Sequence, residues 1–513
     1  MVPSTAPRPE LPDAEPVPIL LARVREELAA DFKPNLPIRV SRAPGRLDVM
    51  GGIADYTGSL VCEMPLDCAA AVALQARDDR QLQVFSFNLY DEHKPFTFRI
   101  PLDALTRHSV DELRREFNEP GRKWAAYLAG CLFVLHEKGL IDLADPSHKG
   151  LNLALHSTVP IGAGVSSSAA IEVATMMNLV DHFGLRDRVE PLALAAMCQR
   201  VENGIVGAPC GIMDQVTSCL GESWALLRMV CQPHYLQLPL CLPPGVRVLG
   251  INSGVKHDVG GPAYARTRCA AFMGHRIILE KMREMGAAAG RELQSDPMRG
   301  YLANLDSDDY KRFFRDSVPE SLSGRAFLDR FGPTHDPVTS VEADIDYPIR
   351  HATDHHVLEA RRVRRFAEFL EQANARSSFE GKEPGRADPE RLDTSGLQMS
   401  GTEVPRTKGS ALDRAGHLMY ASHQSYTMDA MLGAPECDLL VDLVRKHEAA
   451  GLYGARITAG GSGGTVAVLA NTSDRAAAAT DEIISEYRKR TGLIPQAFLG
   501  TSPGAWHMRT AIV

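Results

Sequence analysis

Several stretches of this chain set hydroxyl or charged side chains on glycine-rich turns, a combination suited to holding phosphate. The densest runs Val159-Pro-Ile-Gly-Ala-Gly-Val-Ser-Ser-Ser-Ala-Ala170. It joins a strand-like run, Leu151 to Val159, to a helix-like run from about Ser167 to Phe183. Gly162 and Gly164 let the backbone approach a ligand closely. Ser166, Ser167 and Ser168 fall at the helix N-terminus, where free N–H groups and the macrodipole favour an anion. No Gly-Lys-Ser/Thr follows, so this is not a Walker A loop. Taken alone, the turn is equally well explained as a tight helix cap.

Two other stretches carry charge. Ala43 to Ser59 embeds Arg46 and Asp55 among Gly45, Gly51, Gly52 and Gly58. Charged residues on a glycine-rich loop after a strand are often functional, and a structural Arg46–Asp55 ion pair is the plain alternative. Val201 to Gln215 places Glu202 and Asp214 in an apolar neighbourhood bent by Gly207, Pro209 and Gly211. Phosphoryl transfer needs a carboxylate for a divalent cation, a cation facing the transferring oxygens, and a group that orients the nucleophile. Glu202, Arg46 and Asp214 are of the right types for those three tasks.

The surrounding pattern predicts the elements that must hold these residues. A chain of 513 residues calls for two domains, and a net charge of -8 argues against a dedicated nucleic-acid or anionic-membrane surface. The ten cysteines are scattered without a CxxC pair, which suits a reducing compartment, and the cytoplasm is the expected location. Residues 1–17, rich in Pro and polar types, read as a disordered tail; 18–245 and 246–513 read as the two domains, parted at Pro243-Pro244. Strands are predicted at Ile38–Arg42, Ala69–Ala76, Gln81–Phe87 and Val246–Asn252, with a long helix at Ala263–Glu284. Trp124 and Tyr127, at helical spacing, read as core packing. Residues 372–411 lose periodic apolar positions and read as a flexible surface insertion. A second glycine-rich turn, Gly460-Gly-Ser-Gly-Gly464, precedes an apolar strand, Thr465–Ala470.

In their order, the stretches 43–59, 159–170 and 454–464 resemble the three motifs of the GHMP kinases. Ser166-Ser-Ser-Ala-Ala170, Cys210-Gly-Ile-Met-Asp-Gln215, Asn252-Ser-Gly-Val-Lys-His257 and His417-Leu-Met-Tyr-Ala-Ser-His423 are similar to the galactokinase branch. The resemblance implies an α+β fold, with an N-terminal domain of ribosomal-protein-S5 type, a ferredoxin-like C-terminal domain, and the site in their cleft. It implies ATP and Mg²⁺ as cofactors and a sugar as the small-molecule partner. ATP would lie over Gly162, Gly164 and Ser166–Ser168, with Ser167 on phosphate, and Ser168 and Glu202 would hold Mg²⁺. Asp214 would face the anomeric hydroxyl as base or electrostatic partner, and Arg46 would stabilise the transferring group. Arg46, Asp55, Gly211, Asp214 and Tyr264 map onto sugar-contacting positions, and Gly460, Gly461, Gly463 and Gly464 onto the floor of the site.

One departure bears on the acceptor. Galactokinases carry Gly-Glu-His-Thr-Asp-Tyr in the first motif, where this chain has Gly51-Gly-Ile-Ala-Asp-Tyr56. Losing two polar partners weakens the grip on a C6 hydroxyl, which costs about 1–3 kcal/mol to bury unpaired. L-Arabinopyranose keeps the galactose ring configuration without that carbon. The plant L-arabinokinases resemble this chain in the same segment, as in Gly207-Ala-Pro-Cys210 and Val259-Gly-Gly261. The expected activity is therefore ATP-dependent phosphorylation of L-arabinose at its anomeric hydroxyl. A galactokinase and a non-catalytic sugar sensor are the rivals. His351, His355 and His356 beside Asp354 and Glu359 could be drawn as a metal site, but a charged helix start explains them more simply. The basic run Arg361 to Arg365 reads as a solvated face.

Overall fold

The computed structural model describes residues 10–256, 261–380 and 409–513. Nine strands among the described residues form the first sheet: β1 (Arg39–Met50), β2 (Leu60–Ala76), β3 (Gln81–Ser86), β4 (Thr97–Pro101), β5 (Leu151–Ser157), β6 (Ala225–Val230), β7 (Tyr235–Leu236), β8 (Leu240–Cys241) and a last strand at Ala511–Ile512. Their order is last strand–β1–β2–β5–β3–β4, with β6 on the first half of β2 and β7 and β8 on β6. Only β3 and β5 run parallel. β2 bends between partners, pairing β6 over Leu60–Glu63 and β5 over Ala70–Ala76.

The period of two in these strands sorts side chains to opposite faces. Val72, Leu74, Leu153 and Leu155 enter the main core, whereas Ala71, Ala73 and Ala154 face the Val17–Glu27 helix. The Ser167–His182 helix is buried on nearly every side beneath this sheet. Ser41 Oγ donates to Ala174 O (2.7 Å) and Asn178 Nδ2 to Val72 O (2.8 Å), which locks the helix against β1 and β2. Its N-terminus thereby ends beside the first-motif loop.

β9 (Val246–Asn252) opens the second half, and a short ribbon of β10 (Leu322–Ser323) and β11 (Asp346–Tyr347) lies beyond it. β12 (Leu452–Ile457), β13 (Thr465–Asn471) and β14 (Gln496–Phe498) complete an antiparallel sheet in the order β12–β13–β9–β14. Taken in chain order this is 2-3-1-4 with helices after the first and third strands, the ferredoxin-like arrangement. Among the described residues no helix is long and apolar enough to cross a membrane.

Several boundaries differ from expectation. β1 runs on to Met50, so Arg46 lies within a strand and not on a loop after it, and β2 begins at Leu60, nine residues before the expected Ala69. Order begins before residue 17: a 3₁₀ turn at Leu11–Asp13 buries Leu11, an apolar anchor hidden by the surrounding prolines. The helix starting at Ile349 runs on to Glu380, inside the expected insertion, and a capping box at Ser410 and Asp413 starts the next helix at Ala411. Residues 1–9 of the expected tail and 381–408 of the expected insertion lie outside the described residues. The second domain does not hold the chain to its end, because Ala511 and Ile512 pair with Val40 and Arg39 of β1.

Candidate active site

A cavity of about 850 Å³ opens where the phosphate-turn helix, the first-motif loop and the second sheet meet. Arg46, Asp55, Gly162, Gly164, Ser166, Ser167, Ser168, Glu202, Gly211, Asp214, Tyr264 and Gly460 all line it. Residues from five separate parts of the sequence thus line one cavity.

Asp214 sits at the centre. Its Oδ1 accepts from Arg46 Nη2 (2.6 Å) and Nε (2.9 Å), and its Oδ2 accepts the Ser166 hydroxyl. Arg46 Nη1 donates to Gly164 O (3.0 Å), so one guanidinium braces both the carboxylate and the turn. The anticipated alternative, an Arg46–Asp55 pair, does not form; Arg46 pairs with Asp214 and with buried Glu63 at 3.3 Å. Burial works against the Arg46 charge, yet Asp214, Glu63 and Asp48 keep its pKa above the ordinary value. Glu63 itself is pushed well up, by burial and by Asp48.

Ser166 adopts a left-handed conformation (φ 59°) and makes no side-chain cap, so the first N–H groups of the Ser167–His182 helix are left without a capping partner. Ser167 Oγ is buried without a partner. An uncapped N-terminus and an orphaned hydroxyl on one cavity wall are what an anion would satisfy.

Glu202 lies in a π-helical turn, Val201–Val206, that follows the Pro191–Arg200 helix and stops at Gly207 (φ 81°). Gln215 Nε2 donates to Glu202 Oε2 (2.7 Å) and, more weakly, to Glu172 Oε2 (3.2 Å). Burial and the Asp214 charge push Glu202 up to about 7, against hydrogen bonds from Ser168, Cys210 and Gln215. Glu202 and the Ser168 hydroxyl thus form an oxygen-only donor pair, the kind Mg²⁺ takes when substrate phosphates and water fill its other positions.

At the other end, Asp55 packs against Gly211 so closely that a Cβ on Gly211 would lie 1.4 Å from Asp55 Oδ2. Burial first, then Asp214, raises Asp55 to about 7. Tyr264 and Ile53 line this end. Gly52 does not line the cavity; its missing side chain would point at Tyr426, with Oη 1.7 Å from an ideal Cβ.

The glycine turn after β12 buttresses the phosphate turn from below. Thr465 Oγ1 donates to Ala163 O (2.7 Å), Thr458 Oγ1 to Gly164 O (3.3 Å), and a Cβ on Gly464 would meet Ala163 O at 2.8 Å. Of the four glycines, only Gly460 reaches the cavity; Gly461 packs on Leu432, and Gly463 on Val255 and Lys256.

Trp124 and Tyr127 have a second contact beyond the expected core packing. Both pack on the core yet also line the cavity, and Trp124 Nε1 is buried without a partner. Helical spacing marked their apolar side but could not show that the helix edge borders a cleft. Asp48, Glu63, Glu172 and Gln215 were missed; the signal available was charge within apolar runs such as Val61-Cys-Glu-Met64. His355 bonds Ser425 Oγ, His356 bonds Tyr56 and Thr57, and Asp354 pairs with Arg315, so this cluster serves packing. Arg361, Arg362 and Arg365 pair with Asp308, Glu359 and Glu368. Arg268 pairs with Asp336 and stacks over Tyr56.

The GHMP kinases N terminal domain matches residues 126–222, and the GHMP kinases C terminal domain matches 407–489. A galactokinase of Chloroflexus aggregans is 30% identical over 91% of this chain and 92% of its own length. The chain belongs to the GHMP kinase family. The L-arabinokinase of Arabidopsis thaliana is 35% identical over 94% of this chain, which spans 47% of that relative, about half its length. The solved galactokinase of Lactococcus lactis, complexed with galactose, shares the fold with a TM-score of 0.66 at 20% identity, covering 94% of this chain and 98% of its own. Membership of this kinase family implies ATP as the phosphoryl donor.

Proposed function

We propose that this GHMP kinase transfers the ATP γ-phosphate to the anomeric hydroxyl of L-arabinose. The observation that carries the choice of sugar is Ile53, an apolar side chain on the cavity wall near Asp55, Tyr264 and Ala459. A pyranose with hydroxyls for Asp55 and Arg46 but no hydroxymethyl arm meets that wall without burying an unpaired group. A C6 hydroxyl pressed against it forfeits about 1–3 kcal/mol, a roughly 5- to 150-fold penalty in kcat/KM.

In this reading the triphosphate lies on Gly162, Gly164 and the uncapped helix start, with Ser167 donating to it. The base rests on Trp124, beside Asn88 and Ser86 of the same cavity. Ser168 and Glu202 hold Mg²⁺, which neutralises charge on the phosphate oxygens when bound. Asp214 takes the hydrogen bond of the anomeric hydroxyl and receives its proton as that oxygen bonds to the γ-phosphorus and the bond from phosphorus to the departing ADP oxygen breaks. Arg46 keeps Asp214 in one orientation and turns its charge toward the transferring group. The residues up to 245 carry both substrate motifs, and the second sheet supplies the floor. Ten free cysteines, mostly buried, suit a cytoplasmic enzyme.

D-Galactose is the second acceptor to weigh, because Asp55, Gly211, Asp214 and Tyr264 treat the shared ring alike. A coupled ADP-release assay across L-arabinose, D-galactose, D-glucuronate and L-fucose decides. L-Arabinose should give the highest kcat/KM; equal or reversed preference against D-galactose overturns the assignment. Absence of ATP consumption with any aldose would favour a sugar sensor.

A further inference from the structure

Tyr426, in the Ala411–Met428 helix, carries no role in the site described above, yet it joins two walls of the cavity. The side chain is fully buried. Its Oη accepts from Ile53 N (2.9 Å) and donates to Ala459 O (2.8 Å), and both Ile53 and Ala459 line the cavity. Ala459 holds a left-handed backbone (φ 54°) that a β-carbon resists, so it needs fixing from outside. Both its polar backbone atoms are clamped, the carbonyl by Tyr426 and the N–H by Asp48 Oδ2 (2.9 Å). Asp48 completes the clasp, with Oδ1 accepting from Gly52 N (3.1 Å) and Oδ2 from Arg456 Nη1 (2.9 Å). Tyr426 also fills the place a side chain at position 52 would take, where an ideal Cβ lies 1.7 Å from its Oη and 2.9 Å from its Cζ.

We infer that Tyr426 is a specificity-determining positioning residue: it holds Ile53 against the acceptor, ties that wall to the Ala459 turn, and excludes any side chain from position 52. The inference rests on the sugar-kinase reading of the cavity and names what sets its acceptor preference. Gly52 and Tyr426 act as one unit, so restoring a polar side chain at 52 alone cannot restore a polar wall. Tyr426 does not line the cavity; its effect passes through the Ile53 and Ala459 backbone groups.

The test uses the full chain and two substitutions at this position. Tyr426→Phe removes one oxygen and no volume, leaving Ile53 N–H and Ala459 O without their partner. KM for the preferred sugar should rise about tenfold or more while KM for ATP stays within about twofold, and the ratio of kcat/KM between L-arabinose and D-galactose should shift at least about fivefold. Gly52→Ala should cost about tenfold or more in the native background and less than about threefold beside Tyr426→Leu, which removes the ring. Left-handed strain at Gly52 (φ 48°) and the Arg456 Nη2 that would lie 2.9 Å from the same Cβ are common to both backgrounds and cancel in that comparison. A purely structural role would lower Tm and scale all acceptors equally. Unchanged acceptor ratio in Tyr426→Phe, or equal cost of Gly52→Ala in both backgrounds, overturns the inference. If Tyr426→Leu does not fold, the acceptor ratio of Tyr426→Phe decides alone. A native enzyme that phosphorylates no aldose removes the sugar-kinase reading and the inference with it; a native preference for D-galactose removes the arabinose assignment only.

Discussion

Replacing Gly211 by alanine isolates one close approach in the acceptor site. Gly211 lies outside the left-handed region, so alanine is conformationally allowed, and the whole effect comes from space. The added Cβ would stand 1.4 Å from Asp55 Oδ2, 2.2 Å from Cγ and 2.7 Å from Oδ1, about 2 Å short of ordinary contact. Asp55 has little room to retreat: it is buried, and its Oδ1 accepts the Tyr56 N–H at 2.6 Å. A displacement of about 1 Å in a positioning group costs roughly 10²-fold, so Gly211→Ala should lose at least that factor in kcat/KM for the sugar. Overpacking of this kind costs about 1–3 kcal/mol of stability, visible in Tm but compatible with a folded enzyme. KM for ATP should hold, because the phosphate turn lies at the other end of the cavity. The control is Asp55→Ala, which removes the colliding carboxylate; there Gly211→Ala should cost no more than about 0.5 kcal/mol further. Native kcat/KM in the single variant, or an equal loss in both backgrounds, would refute the reasoning.

Asp214→Asn keeps the shape of the side chain but removes its charge; turnover should fall about 10²–10⁴-fold while ATP binding, followed by calorimetry, changes little. A nearly active variant would contradict its central position. Asp55, raised from 3.8 to about 7 by burial and Asp214, binds its proton more tightly folded than unfolded. Its stabilising contribution is complete below the unfolded value and is lost as pH rises through the folded one, so Tm of the ligand-free protein should drop between pH 5 and pH 8. Asp55→Asn should flatten that slope, and an unchanged slope would count against the assignment. Trp124→Ala should raise KM for ATP about tenfold, in line with about 1–3 kcal/mol for a base on an aromatic face, and leave KM for the sugar unaltered. Equal change in both constants would place the ring elsewhere in the mechanism. Glu202→Gln should raise the Mg²⁺ concentration needed for half-maximal rate, read from a metal titration at saturating ATP.

Local chemistry made much of the site legible. Glycine turns, hydroxyls at a helix start and isolated charges in apolar runs are short-range features, encoded within a dozen residues, and they singled out Arg46, Asp55, Ser166–Ser168, Glu202 and Asp214, which the fold then brings to one cavity. Hydrophobic periodicity likewise located the second half of β2, the β5 strand and the helix beneath them, because one buried face per element leaves its period in the sequence. The same signal found the core side of Trp124 and Tyr127 but not their cavity side, since an apolar stripe does not say whether its edge meets a neighbour or an opening. It also began the N-terminal order too late, because a single buried leucine among prolines has no period at all.

Pairing was another matter. Arg46 answers Asp214 and Glu63 rather than Asp55, which stands much nearer in the chain. Gly52 matters less as a lost sugar contact than as the space taken by Tyr426, whose Oη reaches Ile53 across 373 residues of sequence. The chain by itself determined which chemical groups are available and the turns that present them, since those depend on backbone conformation over a few residues. Tertiary structure alone decided which carboxylate each cation meets and what fills the space beside a glycine, because those contacts exist only once two sheets and their helices have packed.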